Sequence, residues 1–138
     1  MRTIVVLAVS IVLVSILFCP MVMAAPTMPD GLQIVQPDPS LPKELSTFFG
    51  KWQGSAMGIE YFLIVEKIEG EKANLWVFRS GAGEFAQGWQ RFEAPVIKEG
   101  GKYKLWFQDR NGQVVLTLKG EYLDFQGKIT GVRLKRVQ

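Results

Sequence analysis

Phe48-Phe49-Gly50-Lys51-Trp52-Gln53-Gly54, residues 48–54, is the stretch on which the fold turns. Before it, residues 26–42 carry five prolines, Pro26, Pro29, Pro37, Pro39 and Pro42, which keep the backbone extended and predict a linker or a wrapping arm. Residues 40–49 read as a short helical turn, with Ser40 as a cap and Leu41, Leu45, Phe48 and Phe49 on one side as an amphipathic plug. From Gly50 onward the pattern changes to short β-rich runs separated by glycine, asparagine and aspartate.

Eight strands are predicted, over residues 51–57, 60–68, 73–80, 89–97, 103–108, 114–119, 121–125 and 129–136. Glu69-Gly70-Glu71-Lys72, Glu99-Gly100-Gly101, Asp109-Arg110-Asn111-Gly112 and Gln126-Gly127 supply glycine where hairpin turns need positive φ. Gly81 to Gly88, GAGEFAQG, is the one long link and is expected at a barrel mouth as a hinge or lid. Hairpin after hairpin makes a meander, and closing it removes two exposed edges. The expectation is an all-β, eight-stranded antiparallel up-and-down barrel, with a β-sandwich as the rival.

A glycine, any residue and a tryptophan are expected about 0.4 times by chance in a chain with 14 glycines and 4 tryptophans, so position carries more weight than the tripeptide. Gly50 and Trp52 open the first strand after a helical turn, and Arg133, Lys135 and Arg136 stand on the last. This arrangement resembles the lipocalin-like, or calycin, families. The Phe-x-Gly-x-Trp-x-Gly start, Val65, Glu66 and Ile68, Gly88-Trp89 and the basic Leu-Lys-Arg-Val end are similar to a small lipocalin-like domain of exported bacterial proteins, largely of unassigned function. The resemblance implies that Gly50, Trp52 and Arg136 close the barrel, with the arginine stacked on the indole. The chain is shorter than a typical lipocalin and lacks its later motifs.

Residues 1–24 read as a signal peptide forming a signal helix. Arg2 precedes a long apolar run, and small residues place cleavage after Ala24, with Ala25 as the neighbouring choice. Pro20 favours cleavage, while an uncleaved inner-membrane anchor is the alternative. Bulky Leu17 and Phe18 before Cys19 argue against lipidation. The expected layout is therefore 1–24 signal, 25–44 proline-rich arm and 45–138 barrel, exported to the periplasm or the outside.

The 114 residues after the signal hold no cysteine and no histidine, so an apolar core rather than disulfides must stabilise them. Without those two residue types, a Ser-His-Asp triad and a histidine- or cysteine-ligated metal are excluded, and no catalytic residues, metal or cofactor are expected. Fifteen basic against thirteen acidic residues are too even to imply nucleic acid.

Residues 61–65 and 75–78 are apolar on both alternating faces. One set lines the interior, and the other is covered by the proline-rich arm with Leu45, Phe48 and Phe49, or forms a protein contact. For a ligand cavity near the long loop, Trp76, Phe78, Arg79, Trp89, Arg91, Tyr103 and Trp106 are the candidate lining, with Arg79 or Arg91 fixing an anionic headgroup. A one-residue slip in strand sense would exchange the inward and outward lists. Two functions follow: a non-catalytic carrier of a small apolar or amphipathic ligand, or a solid-cored interaction module with an envelope protein partner.

Overall fold

The computed structural model describes residues 25–81 and 88–138; the expected signal with Ala24, and residues 82–87 of the long loop, lie outside the described residues. One helical turn, α1 (Lys43–Ser46), leads into β1 (Gly50–Ala56), β2 (Ile59–Glu69), β3 (Lys72–Arg79), β4 (Gly88–Glu99), β5 (Lys102–Asp109), β6 (Gly112–Lys119), β7 (Tyr122–Gln126) and β8 (Gly131–Val137). Each strand pairs antiparallel with its sequence neighbour, and β1 pairs with β8, so the eight strands form a closed barrel in chain order. The sandwich alternative is thereby excluded. Short turns favour this order at every link except the longer one between β3 and β4, because a hairpin sets the next strand beside the last.

The seam between β1 and β8 is short, running from Lys51↔Val137 to Gln53↔Lys135. Beyond it, a Cβ on Gly54 would lie 2.4 Å from the Arg133 carbonyl oxygen, so only glycine lets the two strands cross this closely. The β4–β5 ladder is short as well, covering Val96 to Glu99 against Lys102 to Leu105. Pro95, which has no N–H to donate, stands where β4 leaves its β3 ladder and takes up β5.

The side-chain parity is set at Trp52. Trp52 faces Leu63, and Leu63 faces Val77, so Tyr61, Leu63, Val65, Ala73, Leu75 and Val77 point inward. Regular pairing from the Glu69↔Lys72 turn would instead set Leu63 against Phe78. A bulge between Val65 and Lys67 shifts the register by one residue and prevents this. Leu105, Phe107, Val114, Leu116, Leu123, Phe125, Val132 and Leu134 complete the interior, all buried. Side chains fill the barrel from its α1 end to the level of Phe107 and Phe125, whose rings lie 6.1 Å apart.

The residue displaced by the bulge, Glu66, turns outward yet is buried, because the arm crosses it. Its carboxylate accepts from the Gln33 N–H at 2.8 Å, from Arg91 Nη2 at 3.0 Å and from Trp76 Nε1 at 3.3 Å. The Val35 N–H donates to the Glu66 carbonyl, and Trp89 Nε1 donates to the Thr27 carbonyl at 2.7 Å. The arm thus covers the outer face of the sheet beside Phe62, Ile64 and Trp89. Leu45, Phe48 and Phe49 take no part in that covering. They sit in the interior core and stop one end of the barrel.

Candidate functional site

The two ends of the barrel differ in chemistry. At the end stopped by α1, Trp52 is buried and its Nε1 donates to the Phe48 carbonyl at 2.9 Å. The Arg136 guanidinium lies 4.3 Å from the centre of the Trp52 ring system and donates to the carbonyls of Phe49 and Thr47, the latter at 2.5 Å. Gly50 has φ +105°, and a Cβ there would stand 2.8 Å from Arg136 Nη1, so the glycine makes room for the stacked arginine. Partial burial lowers the Arg136 pKa from its ordinary value. A recess of about 570 Å³ outside this end is lined by Thr47, Trp52, Gly120, Glu121, Tyr122, Lys135 and Arg136. Arg136 already binds two backbone carbonyls there, which makes this end a structural cap.

At the opposite end the core stops short and leaves a cavity of about 230 Å³. Its walls include Ile59, Tyr61, Val114 and Phe125, and its rim carries Met57, Lys128, Ile129 and Thr130. Arg79, on the last residue of β3, reaches across to Asp109, on the last residue of β5, with Nη2 2.5 Å from Oδ2. Asp109 Oδ1 accepts the Asn111 N–H at 2.7 Å, so both carboxylate oxygens are engaged. The Arg79 guanidinium also lies 5.7 Å from the Tyr61 ring centre and 5.5 Å from that of Phe125. Both side chains are largely buried, 12% and 2% exposed, which is tolerable for ions because each has its partner. The result is an apolar cup whose polar floor is charge-balanced.

Of the seven residues expected to line a cavity, Arg79 does so. Trp76, Phe78, Trp89, Arg91 and Trp106 stand on the outer face, because the bulge at Glu66 sets Leu75 and Val77 inward in place of Trp76 and Phe78. Phe62, Phe78 and Trp89 form an external ring ladder at 6.0 and 5.4 Å, and Arg91 stacks 5.7 Å over Trp76 beside Glu66. Tyr103 packs against the core at the stopped end, near Phe48 and Leu118. Neither arginine proposed for an anionic headgroup holds a free charge: Arg79 is neutralised by Asp109 and Arg91 by Glu66.

No family model, characterised protein or solved structure matches the chain. Among the described residues, no group of three metal-ligating side chains converges, and no helix is long and apolar enough to cross a membrane. The site therefore rests on its own geometry. Sequence reading missed Tyr61, Asp109, Val114 and Phe125. Parity carried from Trp52 through the two-residue Met57-Gly58 turn reaches Tyr61 and Leu63, but beyond them it must cross the bulge.

Proposed function

We propose that this chain is an exported, non-catalytic carrier of lipocalin-like type that holds a small apolar or amphipathic ligand at the mouth of its barrel. The observation that carries the reading is the cup of about 230 Å³ over the Arg79–Asp109 pair. Drug-sized ligands occupy about 300 to 1,000 Å³, whereas a dry apolar cavity of about 150 Å³ already takes benzene. The cup therefore suits a single ring or a short alkyl group, with the rest of a larger molecule emerging past Met57 and Ile129. A neutral hydrogen-bonding group suits the floor better than a carboxylate, because Asp109 already neutralises Arg79. Gly50, Trp52 and Arg136 support the lipocalin-like relationship, since they form the stacked closure that the family resemblance implies. The pattern of residues 1–24 supports the export part of this reading.

Native mass spectrometry of protein purified from its own source tests the carrier reading. The expected result is a bound small molecule that Val114→Trp, which fills the cup, displaces without unfolding the barrel. Bare protein mass from the native source, or a ligand retained unchanged by Val114→Trp, would overturn it.

A further inference from the structure

The rim of the open end has features that a ligand cup does not require. Met57 is 84% exposed and Ile129 is 75% exposed, well above the other exposed large apolar side chains among the described residues, of which Met28 at 48% comes next. Both stand on turns at the same barrel end: Met57 between β1 and β2, Ile129 between β7 and β8. Turn geometry gives no reason for the methionine. Met57 has φ +54° and is followed by Gly58 at +75°, a two-residue turn in which the first position favours asparagine, aspartate or glycine. A long apolar side chain held in the left-handed region and pushed into water points to something outside the barrel.

Among the described residues, the charges of the β1–β2, β5–β6 and β7–β8 turns have one sign. Arg110 on the β5–β6 turn and Lys128 on the β7–β8 turn are exposed, and neither makes an ion pair among the described residues. The described residues of these three turns include no carboxylate; Asp109, at the end of β5, faces inward to Arg79, and Glu60 lies further along, on β2. The stopped end differs, with Glu69, Glu71, Glu99 and Glu121 interspersed among Lys72, Lys102 and Lys119 on its turns. A second copy docking mouth to mouth would bring Arg110 and Lys128 of both copies together, a like-charge arrangement. Two apolar tips flanked by two cations instead match a layer whose surface is anionic and whose interior is apolar.

From this we infer that the open end docks on an anionic lipid surface, with Met57 and Ile129 inserted at the headgroup level and Arg110 and Lys128 on the phosphates. The proposal stands whether or not the cup holds a ligand. It gives the mouth a direction, facing the phase from which an apolar molecule would enter.

Hydrogen exchange of the full chain tests it, with vesicles of phosphatidylglycerol compared against vesicles of phosphatidylcholine. Phosphatidylglycerol should protect residues 56–59, 109–112 and 127–130 and leave the turns at 70–71, 100–101 and 120–121 unchanged. An apolar N-terminal segment holding the chain to both vesicle types leaves this difference intact. Arg110→Glu with Lys128→Glu should abolish the protection, and loss of a single cation should weaken docking about fivefold. Met57→Asp with Ile129→Asp should abolish it too, while circular dichroism shows the barrel intact. Equal protection by both vesicle types, equal protection of both barrel ends, or no protection of the mouth turns would overturn the proposal. Protection of the mouth that rises with protein concentration in the absence of lipid would assign the surface to a second copy and overturn it as well.

Discussion

The two ends of this barrel each use an arginine and aromatic rings, and they use them to opposite effect. At the stopped end, Arg136 stacks on Trp52 and spends its N–H groups on the Phe49 and Thr47 carbonyls, with α1 wedged into the remaining space. At the mouth, Arg79 lies over the adjacent rings of Tyr61 and Phe125 and is neutralised by Asp109, and among the described residues the volume above it stays open. The same residue types build a lid in one place and a floor in the other. What differs, among the described residues, is whether a neighbouring segment fills the space. Leu45, Phe48 and Phe49 do so at one end; at the other the described turns are short and hold their tips outward.

If the stopped end is a structural cap, damage there should cost the most stability. Trp52→Ala removes a buried indole, its hydrogen bond to Phe48 and the surface under Arg136, and should lower unfolding free energy by about 3 to 5 kcal/mol in a urea titration. A loss below about 1 kcal/mol would erase the distinction between the ends. Asp109→Asn at the mouth should cost less, about 2 kcal/mol, because Arg79 loses its charge partner but water can reach it through the open cup. A larger loss than that of Trp52→Ala would make the mouth the stability centre and reverse the comparison.

The smallest effect concerns acid. Asp124 on β7 is hydrogen-bonded by Lys119 at 2.8 Å and paired with Arg133 at 3.1 Å, and the Lys119 hydrogen bond is the main reason its pKa is lowered from 3.8. A depressed carboxylate pKa contributes stability that is complete above the unfolded value and lost as pH falls through the folded one. Asp124→Asn should therefore flatten the acid limb of stability below about pH 3.8, slightly, since the pair is solvent-screened, and leave pH 7 behaviour of the mouth unchanged. Unfolding midpoints measured from pH 2 to 6 check this.

The stopped end was legible in the sequence, and the mouth largely was not. Gly50, Trp52 and Arg136 stand out by position, since the first two open the first strand after a helical turn and the arginine stands on the last. The eight strands were legible to within one or two residues at most ends, since Gly70, Gly100 and Gly112 mark the turns chemically. The inward reading of Trp76, Phe78, Trp89, Arg91 and Trp106 failed at one residue. Glu66 is an extra residue in β2, and every residue of β3 changes face relative to a regular ladder because of it. Hydrophobicity could not expose the slip: Trp76 and Phe78 are as apolar as Leu75 and Val77, and the arm packs over part of that outer face. The Arg79–Asp109 pair was hidden for another reason, since 30 residues separate its members and only the pairing of β3 and β5 on either side of β4 brings their strand ends together.

The central claim is that an apolar guest enters at the mouth and nowhere else. Methyl NMR of the protein titrated with benzene tests it most directly. Shifts should appear for Ile59 and Val114, which line the cup, and be absent for Leu63 and Leu134, which pack the filled interior. No shift at any methyl, or shifts confined to residues beside Trp52, would contradict it.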